Sequence, residues 1–397
     1  MIHSARPPLP LADPDALQPA PGALATEATR LAPDASAAVA AELERMLTNR
    51  TLQAFPYGSE YTALWQHVSA CALGGKLVRP RLLLGTYDAL VAARREPHSD
   101  SGEATERRSA AIRLAAATEL LHYSFLLHDD VIDGDLTRRN RPNLIGAVLE
   151  SRATARTQHE DPTPRDLHWA HTSGILMGDL MLSIAHQVIA REALPQNVRI
   201  HMLDLLDRTV VESVAGEHLD VGLSDRVISP DLDTVLWMSQ LKTATYTFEF
   251  PLRAAAILAE SSTATISALG EIGRHLGLAF QLQDDLLSTF GNPQEHGKDA
   301  FSDLREGKET ALIAFARETR AWPEISISFG ASDLRMESGI RIRELLRDCG
   351  AERAVQQLID DQVAACFARC ASDDGAVPAE VAACIEQLVA GLEGRRS

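Results

Sequence analysis

Leu127-His128-Asp129-Asp130-Val131-Ile132-Asp133-Gly134-Asp135-Leu136-Thr137-Arg138-Arg139 ends a long apolar run with four aspartates, three of them spaced DDxxD, followed by paired arginines. On a helix, Asp129 and Asp133 lie one turn apart and project from one face. Two carboxylates so placed repel unless a cation lies between them. Hard oxygen ligands with open positions suit Mg²⁺ bound together with a phosphate. The arginines would then clamp further phosphate oxygens. A solvated acidic helix end is the alternative reading of this stretch alone.

Outward from that stretch, helical periodicity with alanine and leucine enrichment covers 34–48, 61–73, 77–94, 108–133, 171–192, 198–221, 231–259 and 265–290. It continues over 308–320, 337–347, 350–371 and 378–393. The alternation Ile325-Ser326-Ile327-Ser328-Phe329 is too short and isolated to imply a sheet. Polar interruptions at 96–107, 151–168, 291–307 and 372–378 do not read as linkers between independent units. Residues 1–33, rich in proline and alanine, read as a disordered leader. Residues 34–397 are therefore expected to form one all-helical domain with loops gathered around a site.

Composition narrows the chemistry. At 397 residues and 45% hydrophobic content, the chain can bury a large core. Asp and Glu outnumber Lys and Arg by 55 to 38, for a net charge of −17, which argues against nucleic-acid binding. No run of about 18 apolar residues escapes polar breaks, so no transmembrane helix is expected. The N-terminus carries no secretory pattern, and the expected location is cytoplasmic. Cys71, Cys349, Cys366, Cys370 and Cys384 have no CxxC spacing and read as free thiols in a reducing compartment. Cys366 and Cys370 share a helical face and read as small core residues rather than metal ligands.

A second acidic constellation, Phe280-Gln281-Leu282-Gln283-Asp284-Asp285-Leu286-Leu287-Ser288, also ends a long apolar helix. Gly297-Lys298, Asp303 and Glu306-Gly307-Lys308 follow it. Binding a diphosphate through several Mg²⁺ ions needs carboxylates from more than one side. Upstream, Gly74-Gly75-Lys76-Leu77-Val78-Arg79-Pro80 lets backbone approach an anion, with Lys76 and Arg79 about a turn apart. Taken alone it reads equally as a turn with a solvated lysine. Lys242-Thr243 interrupts an apolar helix, where a snorkelling lysine beside a backbone-bonded threonine is the ordinary alternative.

Together these residues resemble the trans-isoprenyl diphosphate synthases of the polyprenyl synthetase family, which include farnesyl and geranylgeranyl diphosphate synthases. The resemblance spans roughly 60–320 and rests on the element at 74–80, the first aspartate motif with Arg138-Arg139, and Gly178-Asp179. It also rests on Gly216 to Asp220, Lys242-Thr243, Phe280-Gln281, the second motif and Gly297-Lys298. It implies an all-α isoprenoid synthase-type bundle of about ten or more helices around a central apolar cavity. It also implies a homodimer.

The resemblance further implies that Asp129 and Asp133, assisted by Asp130, ligate Mg²⁺, and that Asp284 holds another ion, about three per site. Arg138, Lys242 and Lys298 would hold the allylic diphosphate (dimethylallyl, geranyl or farnesyl), with Thr243 and Gln281 beside its reacting end. Lys76, Arg79, His122 and Arg139 would hold isopentenyl diphosphate. His122 lies seven residues before Asp129, two turns along one face. Ser124 and Phe125, a turn below the aspartates, would set product length, with geranylgeranyl diphosphate favoured and farnesyl next.

The chain departs from the family pattern at Ser288, where the second motif usually ends in aspartate, and at Glu217, where glutamine is common. The segment 151–168 reads as an insertion. Besides a catalytic elongase, two readings stand: a non-catalytic or regulatory subunit, and a divergent cyclase or coupling enzyme. The complete first motif opposes the former; only Ser288 points to the latter.

Overall fold

A computed structural model describes residues 33–73, 75–94, 101–138, 141–154, 162–291 and 301–393. Residues 1–32, read from sequence as a leader extending to residue 33, lie outside the described residues, as do Gly74, Arg139, Gly297 and Lys298. So do residues 155–161 of the segment 151–168 that reads as an insertion.

The chain begins with α1 (Pro33–Ala54), a short 3₁₀ turn (Phe55–Tyr57), α2 (Ser59–Ala72) and α3 (Val78–Ala93). Next come α4 (Ser101–Asp133), a two-stranded hairpin of β1 (Thr137–Arg138) and β2 (Arg141–Pro142), α5 (Leu144–Thr154) and α6 (Pro164–Arg191). α7 (Gln196–Ser224) and α8 (Leu232–Ser239) run into a π-helical segment (Gln240–Glu249), followed by α9 (Phe250–Leu258) and α10 (Thr263–Phe290). The chain closes with α11 (Ser302–Glu306), α12 (Ala311–Arg317), α13 (Trp322–Ile325), α14 (Met336–Asp348), α15 (Ala351–Cys370) and α16 (Ala379–Glu393). Among the described residues the all-α expectation holds apart from the hairpin, and Ile325–Phe329 ends a helix and enters a turn.

Three differences from the sequence reading have local causes. α4 starts at Ser101, inside the interruption read at 96–107, because the charged residues there form an exposed helical turn rather than a loop. Arg107, for example, pairs with Glu103 one turn back at 2.8 Å. α6 starts at Pro164 because Thr163 and Asp166 form a capping box, with Pro164 in the first turn. α5 was missed because its eleven residues are too few to show a clear period.

α4 forms the spine of the bundle, with no proline along its length, and ends where Gly134 takes φ +73°. It packs along α6 and against α1 and α3. Leu114, Leu120, Leu121 and Leu127 of α4 join Met177 and Met181 of α6 and Phe248 and Phe250 in the main core. A second core gathers α10 to α15 around Leu282, Leu312, Ile325, Leu346 and Val355. Because α10 and α15 contribute to both cores, the site carried by α4, α7 and the π segment rests on rigid neighbours.

α6 is long and apolar enough by composition to cross a membrane, yet 44% of its most apolar window is buried against protein. The five cysteines are free thiols, with Cys366 and Cys370 buried in the main core. A small apolar cavity lies along α4, lined by Leu114, Ala117, Thr118 and Leu121 together with Ile189, Met202, Leu206 and Phe250.

Candidate active site

The hairpin brings Arg138 back over the end of α4. Asp135 N–H donates to Asp130 O at 2.9 Å, and Asn143 Nδ2 donates to Asp135 O at 2.7 Å. Gly146 allows the close turn, since a Cβ there would stand 2.2 Å from Leu136 O. Arg138 Nη2 thereby donates to Asp129 Oδ2 at 3.1 Å and to Asp130 Oδ1 at 2.6 Å.

Lys242 reaches the same carboxylate from the π segment. Its Nζ lies 3.1 Å from Asp129 Oδ1, 2.5 Å from Asp220 Oδ2 and 3.1 Å from Glu217 Oε2. A half-buried ammonium held by three acidic side chains is no snorkelling surface lysine. Lys308 plays a parallel part, 3.3 Å from Asp133 Oδ2 and 3.1 Å from Glu306 Oε2.

These environments set the charges. Burial opposes ionisation of Asp129, but Lys242 and Arg138 outweigh it and hold its pKa below the ordinary carboxylate value. Asp130 is more deeply buried, and burial raises it to about 6 despite Arg138. Burial also raises Asp133, partly offset by Lys308. Glu217 is pushed up to about 7 by burial first, with Lys242 opposing and Asp129 and Asp220 reinforcing the shift. Burial would lower Lys242 and Lys308, yet their carboxylate partners keep both well above the usual lysine value.

A second basic group lies nearby. Leu77, in the left-handed region at φ +49°, turns the chain into α3 and leaves Lys76 exposed while Arg79 is buried. Arg79 Nη2 donates to Thr247 Oγ1 at 2.8 Å, and its guanidinium lies 4.8 Å from the Tyr246 ring centre. His122 also stacks on Tyr246, 5.7 Å centre to centre. The Arg79 Nε is buried without a partner among the described residues. A buried guanidinium with a spare donor suits an anionic ligand.

Of the proposed length-setting pair, Ser124 is buried and donates to Gly178 O at 2.8 Å, while Phe125 packs 4.9 Å from Tyr246. On α10, Gln281 Nε2 donates to Asp285 Oδ1 at 2.8 Å, and Ser288 Oγ turns back to Asp285 O at 3.0 Å. Asp284 and Thr243 are half-buried. Among the described residues, no three His, Cys, Asp or Glu side chains converge into a closed metal cage. The donor set nevertheless fits a hard divalent cation, because Asp129 and Asp133 present carboxylate oxygens that already attract ammonium groups.

The sequence reading did not single out Tyr246, Thr247 or Asp220 as site residues, and it noted Lys308 and Glu217 without assigning them a role. The signal for Asp220 and Glu217 was their spacing of three on one helix, opposite a lysine in apolar surroundings. Nothing local marks Tyr246 or Thr247; only the winding of their segment brings them to Arg79.

Comparison with known proteins gives a consistent picture. Residues 63–326 match the polyprenyl synthetase family. A (2E,6E)-farnesyl diphosphate synthase of Mycobacterium tuberculosis is 31% identical over 291 residues, 73% of this chain and 65% of that protein. The chain thus spans just under two thirds of that relative's length. A geranylfarnesyl diphosphate synthase of Natronomonas pharaonis is 30% identical over 298 residues, 73% of this chain and 78% of that one. Among solved structures, the geranylgeranyl pyrophosphate synthase of Corynebacterium glutamicum, complexed with isoprenyl diphosphate and magnesium, superposes with TM-score 0.78 at 29% identity. That match covers 90% of this chain and 98% of the other. The three names differ in product length.

Proposed function

The chain belongs to the polyprenyl synthetase family, and from that premise we propose that it is a trans-isoprenyl diphosphate synthase, a transferase joining isopentenyl diphosphate head to tail to an allylic diphosphate. The observation that carries this reading is the meeting of Arg138 and Lys242 on Asp129. It places two permanent cations at the carboxylate that opens the acidic motif, where a diphosphate and its counter-ions are expected.

In this reading Arg138, Lys242 and Lys298 bind the allylic diphosphate and stabilise charge developing on the departing group. Asp129, Asp133 and Asp284 would hold about three Mg²⁺ ions, which when bound neutralise that diphosphate. Asp130 fixes Arg138. Lys76, Arg79, His122 and Arg139 hold isopentenyl diphosphate so that its alkene faces the allylic carbon, with Thr243 and Gln281 beside that carbon. The proton lost after coupling passes to the pyrophosphate. The apolar core around α4 keeps out water, which would capture the allylic cation.

The growing tail runs down α4. Leu121, Ala117 and Leu114 follow Phe125 at steps of four, four and three, so they lie on one face, and all three line the cavity. Phe125 stands one turn above it. The proposed products are geranylgeranyl diphosphate, then farnesyl diphosphate.

A second copy of the chain is the proposed partner, seated on the apolar faces of α6 and α7. Ile175 and Leu176 on α6 and Val211 and Val214 on α7 are 45–61% exposed. Residues 34–397 act as one domain in this reading, working in the cytoplasm. Incubating purified protein with Mg²⁺, isopentenyl diphosphate and each allylic diphosphate in turn tests the proposal. Elongated diphosphates support it, and consumption of neither substrate favours a regulatory subunit.

A further inference from the structure

The segment Gln240–Glu249 is wound as a π-helix, with i→i+5 backbone bonds, between two α-helices. Its sequence accounts for the winding. Pro251 has no N–H to offer the carbonyl one α-turn back, and its ring crowds that carbonyl. Phe250 N–H instead reaches Thr245 O, five residues back. Thr245 Oγ1 donates to Gln240 O at 3.2 Å, bracing the wide turn from within.

Three glycines receive this segment. A Cβ at Gly216 of α7 would stand 2.2 Å from Lys242 N, and one at Gly277 of α10 would stand 2.3 Å from Ala244 Cβ. One at Gly273 would stand 2.5 Å from Glu249 Cα. α7 and α10 therefore touch the backbone of the segment directly and fix its rotation.

The winding decides which side chains share a face. In an α-helix Lys242 and Tyr246 would lie one above the other, and Thr247 would point about 100° further round. A turn that takes in close to one more residue brings positions four and five apart to either side of one line. Lys242, Tyr246 and Thr247 consequently all face the site. Lys242 meets Asp129, while Thr247 Oγ1 accepts from Arg79 at 2.8 Å and the Tyr246 ring lies 4.8 Å from the same guanidinium.

We propose that this π-helical turn is a positioning element that ties the two diphosphate subsites together: Lys242 serves the allylic diphosphate, and Thr247 with Tyr246, one turn on, orients Arg79 toward isopentenyl diphosphate. The proposal rests on the prenyl-transfer reading above for the identity of the two ligands. Thr247 fixes one end of the guanidinium and Tyr246 fixes its plane, which leaves the buried Nε, unpartnered among the described residues, for the ligand.

The test is calorimetric titration of the full chain with isopentenyl diphosphate and, separately, geranyl diphosphate, alongside steady-state turnover. Thr247→Val keeps the shape and removes the acceptor oxygen; it weakens isopentenyl diphosphate about tenfold or more, the scale of a lost hydrogen bond to a charged group. Geranyl diphosphate binding stays at the wild-type value. Thr247→Ser, which retains the oxygen, restores the affinity. Gly277→Ala drives a methyl group into Ala244 and weakens both ligands together. Equal affinity in Thr247→Val and wild type, or equal losses in Thr247→Val and Thr247→Ser, overturns the proposal. So does a wild-type chain that binds no isopentenyl diphosphate. A wild type that binds both ligands but yields no product overturns the prenyl-transfer reading while leaving the positioning role intact.

Discussion

Lys242 Nζ stands 3.1 Å from Asp129 Oδ1, so the acidic end of α4 and the π segment meet through one ion pair. That ammonium also holds Glu217 and Asp220. It is the electrostatic centre of the site.

Removing it should cost both stability and activity. In Lys242→Ala, three acidic side chains lose their shared cation, and breaking this half-buried pair from one side costs on the order of 2 kcal/mol. Thermal unfolding should show a lowered Tm, and product formation should fall at least about 100-fold. Wild-type turnover in this variant would remove Lys242 from the allylic subsite.

Glu217 should make the fold pH-dependent. Its pKa in the folded chain is about 7, above the ordinary value of 4.5, so the folded state holds the proton more tightly than the unfolded state. Between those values the folded chain binds more protons, and stability declines as pH rises toward and through 7. Glu217→Gln, which cannot ionise, should lose this decline and gain on the order of 2 kcal/mol relative to wild type at pH 8. Parallel denaturation curves for the two proteins from pH 5 to pH 8 would refute the assignment.

Phe125 should limit product length. It stands one helical turn above Leu121 at the cavity and packs on Tyr246. Phe125→Ala is expected to open the path into that cavity and shift products to longer chains, read by mass after dephosphorylation. An unchanged distribution would place the limit elsewhere.

The apolar faces of α6 and α7 should carry the dimer. Introducing charge with Val214→Glu or Leu176→Glu should halve the mass found by sedimentation while leaving helicity intact. A wild type that sediments as a monomer would exclude the second copy.

Much of this was legible in the chain because the long helices carry regular apolar periods and the acidic motifs sit at their ends. Asp129, Asp133 and Arg138 could be read from spacing within a dozen residues, and the structure brings Arg138 onto Asp129. The short α5 and the hairpin that aims Arg138 were not legible, since neither is long enough to show a period. The π winding was read as one continuous helix over 231–259, because hydrophobic patterning does not distinguish a wide turn from an α turn over ten residues. Tyr246 and Thr247 were therefore missed, and with them the support beneath Arg79.

The most direct measurement is mass-resolved product analysis of the wild type and Arg138→Ala, each incubated with Mg²⁺, isopentenyl diphosphate and geranyl or farnesyl diphosphate. The wild type should convert both substrates to a longer prenyl diphosphate and release pyrophosphate, with activity abolished by chelation of Mg²⁺ and reduced at least about 100-fold in Arg138→Ala. A wild type that leaves every allylic diphosphate unextended, or an Arg138→Ala protein as active as wild type, would contradict the account.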